Sequence, residues 1–192
     1  IYKIDAKGVK TKLSKQEGTN NAVFSHNFAY YVNKYSNANT PMKITVNETK
    51  SNKVLRVLQD NARLNEKLAD YTYAKKEFIK IQTASDIELN AWIVKPIDFD
   101  ESKKYPVLMF QYSGPNSQKA LDSYSFDWEQ YLATKGIITV CVDGRGTGAR
   151  GEAFRKCTYL RMGELESKDQ VEAAHALAKL PFVDKDRMAI WG

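Results

Sequence analysis

A chain of 192 residues with 43% apolar and 27% charged side chains can bury a core as one large domain or two smaller ones. It holds no run of about 18 apolar residues, which excludes a membrane-spanning helix. The formal charge of +6 is carried by scattered lysines, with 14 Lys and Arg against 6 Asp and Glu in residues 1–76 and 15 against 17 in the remainder. Without an Arg-rich stripe or a helix-turn-helix pattern, this is a solvated lysine surface and not a nucleic-acid footprint.

Residues 1–15 are strand-like and lysine-rich, without the apolar stretch of a secretory leader. A start at Ile1 instead of methionine suits an internal piece or a processed chain. Up to about Asp70, short aromatic and β-branched runs alternate with polar turns. Strands are predicted at residues 2–4, 22–24, 28–34 and 43–46, separated by Gly8, Gly18, Asn20-Asn21 and residues 36–39. Four strands in about 50 residues is the size of one β-propeller blade. One blade cannot bury both of its faces, so the segment reads as the last member of a longer array. A small independent antiparallel sheet is the alternative. Residues 54–58 add an apolar strand, and residues 61–69 form a short helix that bridges to the next unit.

From Phe78 the pattern changes. Residues 78–82 and 89–94 alternate like a hairpin closed by Lys95-Pro96, and residues 107–110 form a buried strand. A helix over 126–135 stops at Gly136. Residues 137–142 are uninterrupted apolar, as in a strand covered on both faces. A helix over 166–180 presents Val171, Ala174, Leu177 and Ala178 as its apolar face, and Met188 starts the next strand. Strands alternating with helices predict an α/β domain with a mainly parallel sheet. Cys141 lies inside an apolar strand and is expected as a buried free thiol. Cys157 is too distant in sequence for a metal pair or a thioredoxin-type motif, and a disulfide between the two is left open.

In open α/β sheets, ligands gather at the carboxyl ends of the strands. Three such ends stand out: Gln111-Tyr112-Ser113-Gly114-Pro115, then Asp143-Gly144-Arg145-Gly146-Thr147-Gly148, then Trp191-Gly192. The second is glycine-rich but lacks the Gly-Lys-Ser/Thr ending of a phosphate loop, and Ala149 breaks the dinucleotide-binding spacing. Asp143 and Arg145 read instead as a paired structural network near the turn, and Trp191 as a residue packed beneath it.

These three turns, with Arg187-Met188-Ala189-Ile190 leading into the last, resemble the prolyl oligopeptidase family of serine peptidases, and within it the dipeptidyl peptidase IV branch. The resemblance extends through Trp128, Tyr131-Leu132-Ala133, residues 166–174 and Phe182-Val183-Asp184. In the first segment it includes Pro41 and Leu58-Gln59-Asp60-Asn61, so it spans nearly the whole chain. It implies a partial α/β-hydrolase fold preceded by antiparallel strands of a β-propeller blade. Residues 1–70 would end the propeller domain. Residues 71–192 would form the N-terminal part of the peptidase domain, stopping at the nucleophile elbow.

In that family Trp191-Gly192 continues as Trp-Ser-Tyr-Gly-Gly, which makes Gly192 the first elbow glycine. The elbow exposes the serine oxygen on a sharp strand-to-helix turn, and acid and histidine follow it in chain order. All three triad members are therefore expected beyond Gly192, and His26 and His175 are expected to be structural or surface residues. Read from the residues alone, Tyr112 could be a core tyrosine beside a Gly-Pro turn. The resemblance assigns its hydroxyl to the oxyanion hole, in the loop that supplies the second donor in this fold.

The resemblance further implies a peptidase that releases N-terminal dipeptides with proline or alanine second, requires no metal or organic cofactor and takes peptides as substrates. It implies an extracytoplasmic location, periplasmic or secreted. A homodimer or a complementing second fragment would complete the fold. An acylaminoacyl peptidase or oligopeptidase of the same family is the neighbouring alternative. From a different class, a non-catalytic interaction module on a hydrolase scaffold is the other.

Overall fold

The computed structural model describes residues 1–192. They divide into two compact units, Ile1–Thr72 with Leu121–Ser125, and Tyr73–Ala120 with Phe126–Gly192.

In the first unit, β1 (Tyr2–Ile4) and β2 (Lys10–Lys12) form an exposed antiparallel hairpin. Its turn is closed by Asp5 Oδ1, which accepts from the backbone N–H groups of Lys7 and Val9 at 2.9 Å each. The four-stranded antiparallel meander is built from β3 (Thr19–Phe24), β4 (Tyr30–Asn37), β5 (Thr40–Glu48) and β6 (Val54–Gln59). The blade-sized sheet expected from the sequence is thus present with a different first member. Residues 2–4 lie outside it, and residues 54–59 complete it. The reason is local: Lys10-Thr11-Lys12 is a polar partner immediately available to β1, and a hairpin with it closes over a short turn. β6 is the edge, with Val54, Leu55 and Leu58 each 50% exposed, and one sheet of this kind has no second layer to cover such side chains. α1 (Ala62–Ala69) follows it.

The second unit is a five-stranded mixed sheet in the order β11-β9-β10-β8-β7. Its members are β7 (Lys76–Gln82), β8 (Glu88–Val94), β9 (Tyr105–Phe110), β10 (Ile138–Asp143) and β11 (Val183–Trp191). β10 pairs in parallel with β9, as does β11, whereas β8 pairs antiparallel with β10 and β7 with β8. The expectation of a mainly parallel sheet therefore holds only for the β10-β9-β11 half. The short connection between β7 and β8 permits only a hairpin, and parallel neighbours need a long crossover.

Side-chain alternation sorts the core into two layers. Leu89, Ala91, Ile93, Val107, Met109, Ile138, Val140 and Val142 face α4 (Glu164–Leu177) with Ala173 and Leu177. Trp92, Val94 and Cys141 face the other way, with Ala133 of α2 (Trp128–Ala133). β10 is buried along its whole length, which explains its unbroken apolar sequence. α2 starts at a capping box in which Asp127 and Gln130 satisfy each other's backbone N–H groups. It stops where Gly136 takes a φ of +73° and Ile137 N–H reaches back to the Leu132 carbonyl. α3 (Glu152–Lys156), a short helix not foreseen in the sequence, follows β10.

The buried face of α4 also differs from expectation. Its buried residues are Glu166, Asp169, Gln170, Ala173 and Leu177, while Val171 is 56% exposed. These five positions keep the helical period, but three of them are polar and hydrogen-bonded. Gln170 Nε2 donates to the Val142 carbonyl at 3.0 Å, and Glu166 caps Gly163 N–H at 3.0 Å. No helix is long and apolar enough to cross a membrane.

Candidate active site

The carboxyl ends of β9, β10 and β11 lie side by side, because Phe110 is in register with both Cys141 and Trp191. The segments that follow them are laced together. Gln111 N–H donates to the Trp191 carbonyl at 3.0 Å, Asn116 N–H to Gly146 at 2.9 Å and Gly148 N–H to Ser117 at 2.8 Å. All three turns singled out in the sequence therefore meet at one end of the sheet.

Tyr112 follows the third strand of this sheet in chain order. The residue is 58% exposed in this chain and takes no part in the sheet core. One edge of the ring rests on Gly114, where an added Cβ would stand 3.1 Å from the ring. The ammonium of Lys119 lies 5.3 Å from the ring centroid. The hydroxyl has no hydrogen-bond partner within the chain, so it is free to donate outward. Below it, Ser117 Oγ donates to the Tyr112 carbonyl at 2.9 Å and Ser113 Oγ to Gln111 Oε1 at 2.7 Å, fixing the loop backbone.

Gly192 is crowded at this end. A Cβ there would collide with the Gln111 carbonyl oxygen, so the close approach of the β9 and β11 ends demands glycine. Trp191, read from the sequence as packed beneath the turn, is 60% exposed in this chain and tilts against Phe110 with ring centroids 5.3 Å apart.

Asp143 and Arg145 are not paired with each other, contrary to the sequence reading. Asp143 ends β10 on the face it shares with Cys141, where its carboxylate accepts from Lys119 N–H at 2.9 and 3.1 Å and from Ala120 N–H at 2.9 Å. Burial pushes its carboxyl above the ordinary range, and those backbone donors and the Lys119 charge work against that rise. Arg145, past the turn at Gly144, reaches the opposite face and the fully buried Asp169 of α4. Arg145 Nε lies 3.0 Å from both Asp169 oxygens, Nη2 2.5 Å from Oδ1, and the Arg145 N–H 2.6 Å from Oδ2. Hydrogen bonding to the Asp169 carboxylate holds the guanidinium above its ordinary value. Sequence reasoning missed Asp169. The usable signal was the run Glu166, Asp169, Gln170, Ala173, Leu177 at helical spacing, visible only if polar residues are admitted to a buried face.

Gly146 sits at φ +90°, with Thr158 Oγ1 2.8 Å from where a Cβ would be, so the turn after β10 needs glycine there on two counts. His26 and His175 are both exposed and lie outside this constellation. Cys141 and Cys157 are free, the first buried and the second exposed. Burial and the nearby Asp143 charge push the Cys141 thiol up to about 12, so it is no nucleophile.

Comparison with known proteins points the same way. Residues 124–192 match the prolyl oligopeptidase family, and residues 1–42 match the dipeptidyl peptidase IV (DPP IV) N-terminal region. Dipeptidyl peptidase 4 of Felis catus is 38% identical over 174 residues, covering 88% of this chain and 22% of the relative. The Trichophyton equinum dipeptidyl peptidase 4 is 37% identical over 175 residues, covering 89% of this chain and 23% of the relative. The crystal structure of Porphyromonas gingivalis dipeptidyl peptidase 4 superposes with a TM-score of 0.97 at 62% identity, over 100% of this chain and 27% of that one. The chain thus spans about a quarter of the length of the proteins it matches. With a propeller-type meander, an α/β-hydrolase sheet and the strand-end motifs in place, the chain belongs to the prolyl oligopeptidase family of serine peptidases.

Proposed function

We propose that the full-length protein is a serine exopeptidase that releases dipeptides from the N-termini of peptides, with proline or alanine second. Residues 1–70 belong to the end of its propeller domain and residues 71–192 to the first part of its peptidase domain. The observation that carries this reading is the Tyr112 hydroxyl, exposed and without an internal partner, at the strand end that is laced to the Gly192 turn.

In this reading a serine after Gly192 attacks the carbonyl of the second substrate residue, and the electron pair moves onto the carbonyl oxygen. The Tyr112 hydroxyl donates to that oxyanion. Collapse expels the amine of the third residue with a proton, leaving an acyl-enzyme that water hydrolyses. A donor aimed where charge develops strengthens in the transition state, so it raises kcat more than it lowers KM. The role of Asp143 and of the Arg145–Asp169 pair is structural: they hold the loops that carry Tyr112 and border Gly192. Peptide is the substrate.

The test uses the full-length protein with chromogenic Gly-Pro and Gly-Ala substrates, their N-acetylated forms and a fluorophosphonate inhibitor. Hydrolysis of the free-amine dipeptides alone, abolished by the inhibitor, is expected. Preference for the acetylated substrates would assign an acylaminoacyl peptidase, cleavage of internal bonds an oligopeptidase, and no turnover a non-catalytic module. Tyr112→Phe should lower kcat by about 10²–10³-fold with KM nearly unchanged. The 192-residue chain alone should not turn over these substrates.

A further inference from the structure

The Tyr112 ring has few restraints for a group that must aim a hydroxyl. It is 58% exposed, its oxygen has no internal partner, and one edge lies against Gly114. The ammonium of Lys119 stands 5.3 Å from the ring centroid. The Lys119 side chain is exposed, but its backbone is held from three directions. Its N–H and that of Ala120 bind the buried Asp143 carboxylate, and its carbonyl accepts from Trp92 Nε1 at 3.1 Å. Trp92 is 4% exposed and Asp143 3%, so the anchor belongs to the rigid core while the ammonium reaches the surface.

We infer that Lys119 is a positioning residue for the oxyanion donor: its core-anchored backbone sets its ammonium over the Tyr112 ring and thereby holds the phenol in its donating orientation. The inference rests on the oxyanion role proposed for Tyr112. A cation over an aromatic face is attracted by the ring quadrupole, and here it limits rotation of a ring that packing leaves loose. The same charge also acts favourably on the Asp143 carboxylate, whose main partners are the Lys119 and Ala120 backbone N–H groups. The effect belongs to kcat, because a swung ring loses a transition-state contact and leaves ground-state binding intact.

The experiment is a double-mutant cycle in the full-length enzyme, comparing Lys119→Met, Lys119→Gln, Lys119→Arg, Tyr112→Phe and Lys119→Met/Tyr112→Phe. An exposed cation–π contact predicts a fall in kcat of about two- to five-fold for Lys119→Met and Lys119→Gln, with KM and melting temperature unchanged. Lys119→Arg keeps the cation and should restore most of the rate. In the Tyr112→Phe background, Lys119→Met should have no further effect, since the hydroxyl it positions is gone. An equal fall in that background would overturn the inference and show that Lys119 acts on substrate or fold directly. Wild-type turnover in Lys119→Met would overturn it as well. Wild-type turnover in Tyr112→Phe would instead remove the oxyanion role itself, and the inference with it.

Discussion

Replacement of Asp169 by alanine isolates what the turn after β10 depends on. The carboxylate has no solvent exposure and Arg145 only 16%, and they share three side-chain contacts besides the backbone N–H bond. Breaking a buried pair from one side typically costs about 3–5 kcal/mol, because the remaining charge stays buried without its partner. Residual access of water to Arg145 places this variant at the lower end, about 3 kcal/mol, or roughly two powers of ten in the unfolding equilibrium. For a domain of 150–250 residues that is a drop in Tm of about 6–12 °C. The assay is thermal melting of the full-length protein followed by tryptophan near-UV circular dichroism, paired with residual activity after heating. A second variant, Asp169→Ala/Arg145→Met, removes both charges and should recover much of the loss, since an apolar pair often replaces a buried ion pair without cost. A single variant within about 1 °C of the parent would refute the reasoning. So would a double variant no more stable than the single one.

Glu172 is held at about 2, below its ordinary 4.5, chiefly by the Ser85 hydroxyl and N–H that donate to it at 2.6 and 2.9 Å. A depressed carboxyl contributes stability that is present above 4.5 and lost as pH falls towards 2. Glu172→Gln should flatten that part of the stability-versus-pH curve, and an unchanged acid limb would contradict the assignment. Lys76 and Glu129 are 2.6 Å apart with side chains 6% and 12% exposed. Lys76→Met alone should destabilise by about 3 kcal/mol, and Lys76→Met/Glu129→Leu should be nearly neutral, measured by chemical denaturation. Native alkylation followed by peptide mapping should modify exposed Cys157 and spare Cys141, which burial raises to about 12. Equal labelling of the two would show that β10 opens. The isolated 192-residue chain should self-associate, because β11 offers an unpaired edge with Ile190 55% and Trp191 60% exposed. A monodisperse, cooperatively melting monomer would show otherwise.

Much of the architecture was legible in the amino-acid order because local signals and tertiary demands agree. The unbroken apolar run of β10 needs burial on both faces and receives it. Asp127 to Gln130 and Gly136 bound α2 by capping chemistry that acts within a few residues. The strand-end turns with Tyr112, Asp143, Arg145 and Gly192 were likewise recognisable, since strand–loop grammar places them at one end of any such sheet. Other features depended on contacts between residues far apart in the chain. Lys10-Thr11-Lys12 has no apolar pattern and becomes a strand only by pairing with β1, which frees residues 54–59 to finish the meander. Val171 reads as core by hydrophobicity, yet Asp169 and Gln170 occupy the buried face because Arg145 and the Val142 carbonyl, 24 and 28 residues away, supply their hydrogen bonds. Asp143 and Arg145 read as partners by proximity in sequence. The tertiary structure sends them to opposite faces of the sheet, because a buried charge goes where its donors or acceptors are, and those lie on Lys119, Ala120 and Asp169.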